Sequence, residues 1–203
     1  MVDAFQRQGA LDFRGLEAAQ RLVEPCAATL RMWLVSACGQ LCLRGDASTV
    51  FAERVESVWG VPLPLMANTA SGPIEDENGH VHRILWLGPD EWLAVCAGGE
   101  VERLHLDLDE ALAGEHVLVS DVSHSRVLIV LEGEHARDVL LKGCSLDLDP
   151  IAFGAGHCAQ APLARSHMLL HQVSDLPRYH LYIHRSVAAY AYAWLEDAAQ
   201  EFL

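Results

Sequence analysis

The chain has 203 residues, enough for one large domain or two small, tightly packed subdomains, and 51% of them are apolar, which is ample for a core. With 14 basic against 28 acidic residues, its formal charge of −14 repels phosphate backbones and anionic lipid, so nucleic acid and membrane are not expected partners. Asp3 follows the start with no apolar export segment behind it, and no apolar run approaches the roughly 18 residues of a membrane helix, which predicts a soluble, cytoplasmic protein.

In chain order, residues 1–30 read as an N-terminal arm or short helix. The arm carries Phe5, Leu11, Phe13, Leu16, Leu22 and Val23 with no sheet of its own to cover, so it is expected to dock on a partner surface. A strand pattern follows over Arg31–Leu43. After Gly45, the stripe Ala47, Val50, Phe51, Val55 and Val58 predicts a helix stopped at Gly60. "NTASGPIEDENG" (68–79), rich in turn residues and acids, reads as a loop. Strand patterns His80–Leu87 and Trp92–Cys96 precede a helix marked by Val101, Leu104, Leu108 and Leu112.

Val117–Leu131 is too long for one average strand and divides into one that closes a first half and one that opens a second. A short helix with Ala136, Val139 and Leu140 is closed by Gly143. Strands are then expected over His157–Ala164, Met168–Val173 and Tyr179–His184. The last helix is capped by Ser186 and buries Val187, Tyr190, Ala191, Trp194, Ala198 and Phe202.

The two halves share one plan. Gly45 and Gly133 each end an apolar strand and are 88 positions apart, as are Leu93 and Leu181 in the strands "LAVCAG" and "LYIHRS". This offset points to an internal duplication. The expected fold is α+β: two ferredoxin-like β-α-β-β-α-β halves, 31–122 and 123–203, in one compact domain behind the arm.

Candidate chemistry centres on "SDVSHSR" (120–126). In an extended segment Asp121, Ser123 and Ser125 would face one way and Val122, His124 and Arg126 the other. His124 then cannot serve Ser123 as a general base, and the chain has no G-x-S-x-G elbow. Polar side chains satisfying backbone groups where two strands diverge is the favoured reading. The pairs His180/His184, His167/His171 and Cys38/Cys42 have a spacing that suits a metal only on a helix, and His80/His82 lack an evident third ligand. Gly98-Gly99 leads into Glu100 and Glu102, which repel an anion, and "GAG" (154–156) is a turn rather than a dinucleotide loop. The six cysteines (Cys26, Cys38, Cys42, Cys96, Cys144, Cys158) include no C-x-x-C pair and read as reduced, partly buried thiols, with Cys144 in a packing role despite its neighbour Lys142. No catalytic, cofactor-binding or metal-binding residue is expected in this chain.

"GPDEWL" (88–93), "DVSHSR" (121–126), "KGCSLDLDP" (142–150), "CAQAPLA" (158–164) and "LYIHRSVAAYAYAWLEDAAQEF" (181–202) together resemble the gamma subunit family of heterotetrameric sarcosine oxidases. Ala161 departs from the pattern, where a threonine is expected. The resemblance implies a shortened relative of the folate-binding fold of the glycine cleavage T-protein, an aminomethyltransferase. It also implies a non-catalytic assembly role beside alpha, beta and delta subunits. FAD, FMN, NAD, zinc and tetrahydrofolate are then expected in those partners. Such a complex oxidises sarcosine to glycine and hydrogen peroxide and, with tetrahydrofolate, gives 5,10-methylenetetrahydrofolate. Ser123, His124, Arg126, Phe5 and Phe13 are the expected partner-facing residues. The alternatives are the equivalent subunit of another N-methyl amino acid dehydrogenase or oxidase complex, and a free-standing folate-dependent transferase.

Overall fold

The computed structural model describes residues 11, 30–35, 38–75 and 81–202. Strands β1 (Arg31–Val35) and β2 (Cys38–Arg44) lead to helix α1 (Phe51–Trp59), then β3 (Ala70–Glu75), β4 (Val81–Gly88) and β5 (Glu91–Ala97). Helix α2 (Val101–Ala111) and β6 (Leu118–Asp121) follow. The second half runs β7 (Arg126–Glu132), helix α3 (Ala136–Leu141), β8 (Cys158–Leu163), β9 (Ser166–Ser174), β10 (Arg178–His184) and helix α4 (Ala188–Ala199).

Two antiparallel five-stranded sheets result, in the orders β3-β4-β5-β2-β6 and β1-β7-β10-β9-β8. Set the outer strands β3 and β8 aside, and each sheet has the strand order of a β-α-β-β-α-β unit. In the second sheet, however, the closing strand comes from the N-terminal side. β1 pairs with β7 from Arg31↔Glu132 to Val35↔Leu128, just as β6 pairs with β2 in the first sheet. The expected single strand Arg31–Leu43 is therefore two strands in different sheets. Residues 31–35, placed by sequence with the first half, pair with the second, where β7 would otherwise present an unpaired edge.

The layers stack helix, sheet, sheet, helix. Phe51, Val55 and Trp59 of α1 and Leu104 and Leu108 of α2 pack on Leu41, Leu43, Ile84 and Trp92. Residues of α3 and α4 cover Ile129, Leu131, Leu181 and Ile183. Between the sheets, Leu85, Leu93 and Val95 meet Leu128, Val130, Leu169 and Tyr182. Central strands are thus buried on both faces, which is why they read as apolar runs rather than alternating patterns.

β2 at 38–44 and β7 at 126–132 differ by 88 at both ends, and Gly45 and Gly133 take equivalent places after them. Leu93 and Leu181 share equivalent strands but not equivalent positions. Leu93 pairs with Cys42, whereas Leu181 pairs with Ile129, the counterpart of Leu41. That one-residue slip turns Leu93 toward the other sheet and Leu181 toward the helices.

Four further expectations change. Residues 70–75 of the presumed loop form the edge strand β3, whose ladder shifts register between Ser71 and Ile74, at Gly72 with φ 86°. Ser186 lies in a turn of 3-10 helix and does not cap α4. The buried face of α4 is Ala188, Ala191, Tyr192, Leu195, Ala198 and Ala199, while Tyr190 is 41% exposed. A helix apolar nearly all round gives the periodicity little to discriminate. Of the arm, Leu11 is fully buried in this chain's own second-half core rather than reserved for a partner. Phe5 and Phe13 lie outside the described residues.

Candidate functional site

The "SDVSHSR" segment carries the chain from the first sheet to the second. It is not extended: Val122 to Ser125 form a turn closed by Ser125 N–H donating to the Val122 carbonyl at 2.8 Å. Asp121 Oδ1 accepts from both the backbone N–H (2.9 Å) and the hydroxyl (2.6 Å) of Ser123. Ser123 Oγ in turn accepts the backbone N–H of Gln40 at 2.9 Å, and the Gln40 amide donates to the Arg126 carbonyl at 3.1 Å. Partial burial alone would push the Asp121 carboxyl up, but the two bonds from Ser123, with His124 and His105 nearby, hold it below its usual value. His124 is exposed at the tip, and Arg126 is half-buried, which lowers its pKa. The serine and aspartate are spent joining β2 to the crossover, so no base–nucleophile pair forms here.

His82 bridges three elements. Its Nδ1 lies 3.0 Å from the Trp59 carbonyl and its Nε2 3.3 Å from Glu100 Oε2, tying the end of α1 to β4 and the start of α2. Cys144 packs in the core just past α3, where burial pushes its thiol up. Lys142, instead of activating that thiol, donates to the Ala198 carbonyl and pairs with Glu201 at the end of α4. Among the described residues, no three His, Cys, Asp or Glu side chains come together as a metal cluster. Gly154–Gly156 turns into strand β8, not a helix, and α2 carries Glu100 and Glu102 at its start, so neither glycine segment fits a dinucleotide phosphate.

One polar cluster escaped the sequence reading. Arg83 of β4 faces the second sheet, where its Nη1 lies 2.6 Å from His180 Nδ1 of β10. His171 of β9 pairs with His180 in the ladder, with the rings edge-on at 6.0 Å, and Tyr182 lies two residues further along the same face. Burial, then the Arg83 charge, pulls His171 down to about 3 and His180 down to about 2, so both rings are neutral at physiological pH. The signal was present in "VHRILWLG", where an arginine interrupts a strand buried on both faces. The cross-strand partners were not legible, because sequence spacing does not report register.

Residues 44–201 match the sarcosine oxidase gamma subunit family. This chain belongs to that family. It is 36% identical over 152 residues to sarcosine oxidase subunit gamma of Corynebacterium sp. strain P-1, covering 75% of this chain and 70% of the relative. It is 32% identical over 209 aligned positions to the subunit of Corynebacterium sp. strain U-96, covering 100% and 95%. Among solved structures, a chain of the heterotetrameric sarcosine oxidase from Corynebacterium sp. U-96, in complex with pyrrole 2-carboxylate, superposes with a TM-score of 0.84 at 28% identity, covering 97% of this chain and 96% of that one. The glycine cleavage system aminomethyltransferase T from Bartonella henselae superposes with a TM-score of 0.61 at 14% identity, over 83% of this chain and 45% of its own, a likeness of fold alone. The gamma subunit fold is thus a doubled sheet-and-helix unit shared with that aminomethyltransferase. Among the described residues no helix is long and apolar enough to cross a membrane.

Proposed function

We propose that this chain is the gamma subunit of a heterotetrameric sarcosine oxidase and that its contribution is structural. The observation that carries the reading is the near-complete two-way overlap with a chain of such an oxidase, a TM-score of 0.84 over 97% and 96% of the two chains. The use of its reactive side chains supports it. Ser123 and Asp121 hold the crossover, Cys144 fills core, and His82 ties helix ends to β4. The flavins, dinucleotide, zinc and tetrahydrofolate belong on this reading to alpha, beta and delta partners, which supply the oxidation of sarcosine to glycine and peroxide.

Partner contact is assigned to His124 and Arg126 at the crossover, beside the anchoring Ser123, and to Phe5 and Phe13 of the arm. The chain is divided into the arm (1–30) and two halves meeting at residues 122–123, with β1 lent to the second sheet. Co-expression with the partner subunits tests the assembly. The chain should co-elute with the flavin-bearing subunits as one complex. A full flavin-loaded oxidase that forms without it, leaving it in a separate peak, would refute the reading.

A further inference from the structure

We propose that Arg83, His171, His180 and Tyr182 form a buried receptor for a carboxylate between the two sheets. The site is a property of this chain and does not depend on the assembly reading. Arg83 retains 9% exposure at the inter-sheet layer, and among the described residues no carboxylate pairs with it. Its Nη1 donates to His180 Nδ1 at 2.6 Å, which leaves that ring nitrogen as the acceptor and places the ring's proton on Nε2. Among the described residues the Arg83 Nε and both ring nitrogens of His171 are buried with no hydrogen-bond partner, and the Tyr182 hydroxyl, buried beside the Arg83 guanidinium, keeps its own proton without an acceptor.

These atoms lie in one cluster. The His171 and His180 rings are 6.0 Å apart and those of His180 and Tyr182 6.4 Å apart. A buried cation with no counter-ion among the described residues and several unpartnered donors all cost stability, and one anionic ligand would relieve the cation and those donors together. The groups left over can all donate: the guanidinium Nε, a phenol and an imidazole. Their complement is a small planar anion with two acceptor oxygens, which fits the arginine fork as a carboxylate does. The depression of both histidine pKa values agrees, since the cluster already resists further positive charge. Leu85, Leu169 and Val130 line the same layer and favour a compact, singly charged group over a hydrated phosphate. Arg83 and His180 each keep 9% exposure, so the cluster reaches the surface. The carboxylate could be a free small acid or an Asp or Glu side chain of a partner subunit.

The test is a titration of the full chain with sodium formate, against sodium chloride at equal ionic strength, following the histidine ring signals by NMR. Saturable shifts of the His171 and His180 signals with formate alone are expected. Tyr182→Phe should weaken formate about tenfold, and Arg83→Met should abolish the response. Should Arg83→Met not fold, Tyr182→Phe, which removes one hydroxyl, carries the test. Repeating the titration on the assembled complex separates the sources: a partner side chain would block the formate response there, while a free-acid site would still give it. Formate shifts no larger than those of chloride, or shifts unaltered in Tyr182→Phe, would overturn the proposal.

Discussion

At Gly143 the missing side chain is a packing requirement, since a Cβ would come within 2.5 Å of the Trp194 ring and 3.1 Å of the Ala164 nitrogen. Gly143→Ala should push the indole off its seat and cost about 1–3 kcal/mol, read from urea unfolding; an unchanged midpoint would show that the ring moves freely. The duplicated glycines illustrate how position and reason can separate. Gly133 has φ 129°, a conformation other residues avoid, whereas the space beside Gly45 is filled by the Phe51 ring at 2.9 Å. Ser123→Ala leaves the buried Gln40 N–H without its acceptor and should cost about 1–3 kcal/mol of unfolding free energy. Burial pushes Cys38 up to about 11 and Cys96 and Cys158 up to about 12. Mass spectrometry after brief iodoacetamide treatment of the native chain at pH 8 should therefore find these three unmodified. The sequence conveyed that the described thiols are partly or wholly buried, and that polar side chains of SDVSHSR satisfy backbone groups where two strands diverge. It did not convey the turn at Val122–Ser125, because an Asx-type hydrogen bond overrides the alternation assumed for a strand.

The strands carry a pH dependence. His171 and His180 stay neutral in the fold, with pKa values of about 3 and about 2, while the unfolded chain protonates them below their ordinary 6.5. The unfolded state then binds more protons, so stability is full above pH 6.5 and declines as pH falls toward those folded values. Each histidine contributes a slope of up to about 1.4 kcal/mol per pH unit, and His171→Leu should roughly halve the combined slope between pH 6 and 4. Unfolding free energies independent of pH over that range would contradict the neutral pair. At this scale helix existence was legible, because Phe51/Val55 and Leu104/Leu108/Leu112 keep a helical period. β3 was not, since its glycine and Pro73 look like a loop and are tolerated only at a sheet edge. Nor was the exchange of β1 into the second sheet, a contact with residues about a hundred positions away.

Across the molecule, two copies of one unit pack sheet against sheet, and the crossover at residues 121–126 joins them. The 88-residue repeat and the family motifs made this plan readable. The buried Arg83 cluster was not readable, since it exists only once β4 and β10 face each other across the layer. The role proposed for the gamma subunit is structural, with no catalytic step of its own. The direct measurement is sarcosine-dependent peroxide release per bound flavin in the assembled complex carrying Asp121→Asn, Ser123→Ala, His124→Gln or Cys144→Ala, one at a time. Turnover per flavin should stay within about threefold of the parent for each, with any loss confined to assembly or thermal stability. A drop of about a hundredfold in any one of them, with the complex intact and its flavin bound, would make that residue catalytic and rule out a purely structural subunit.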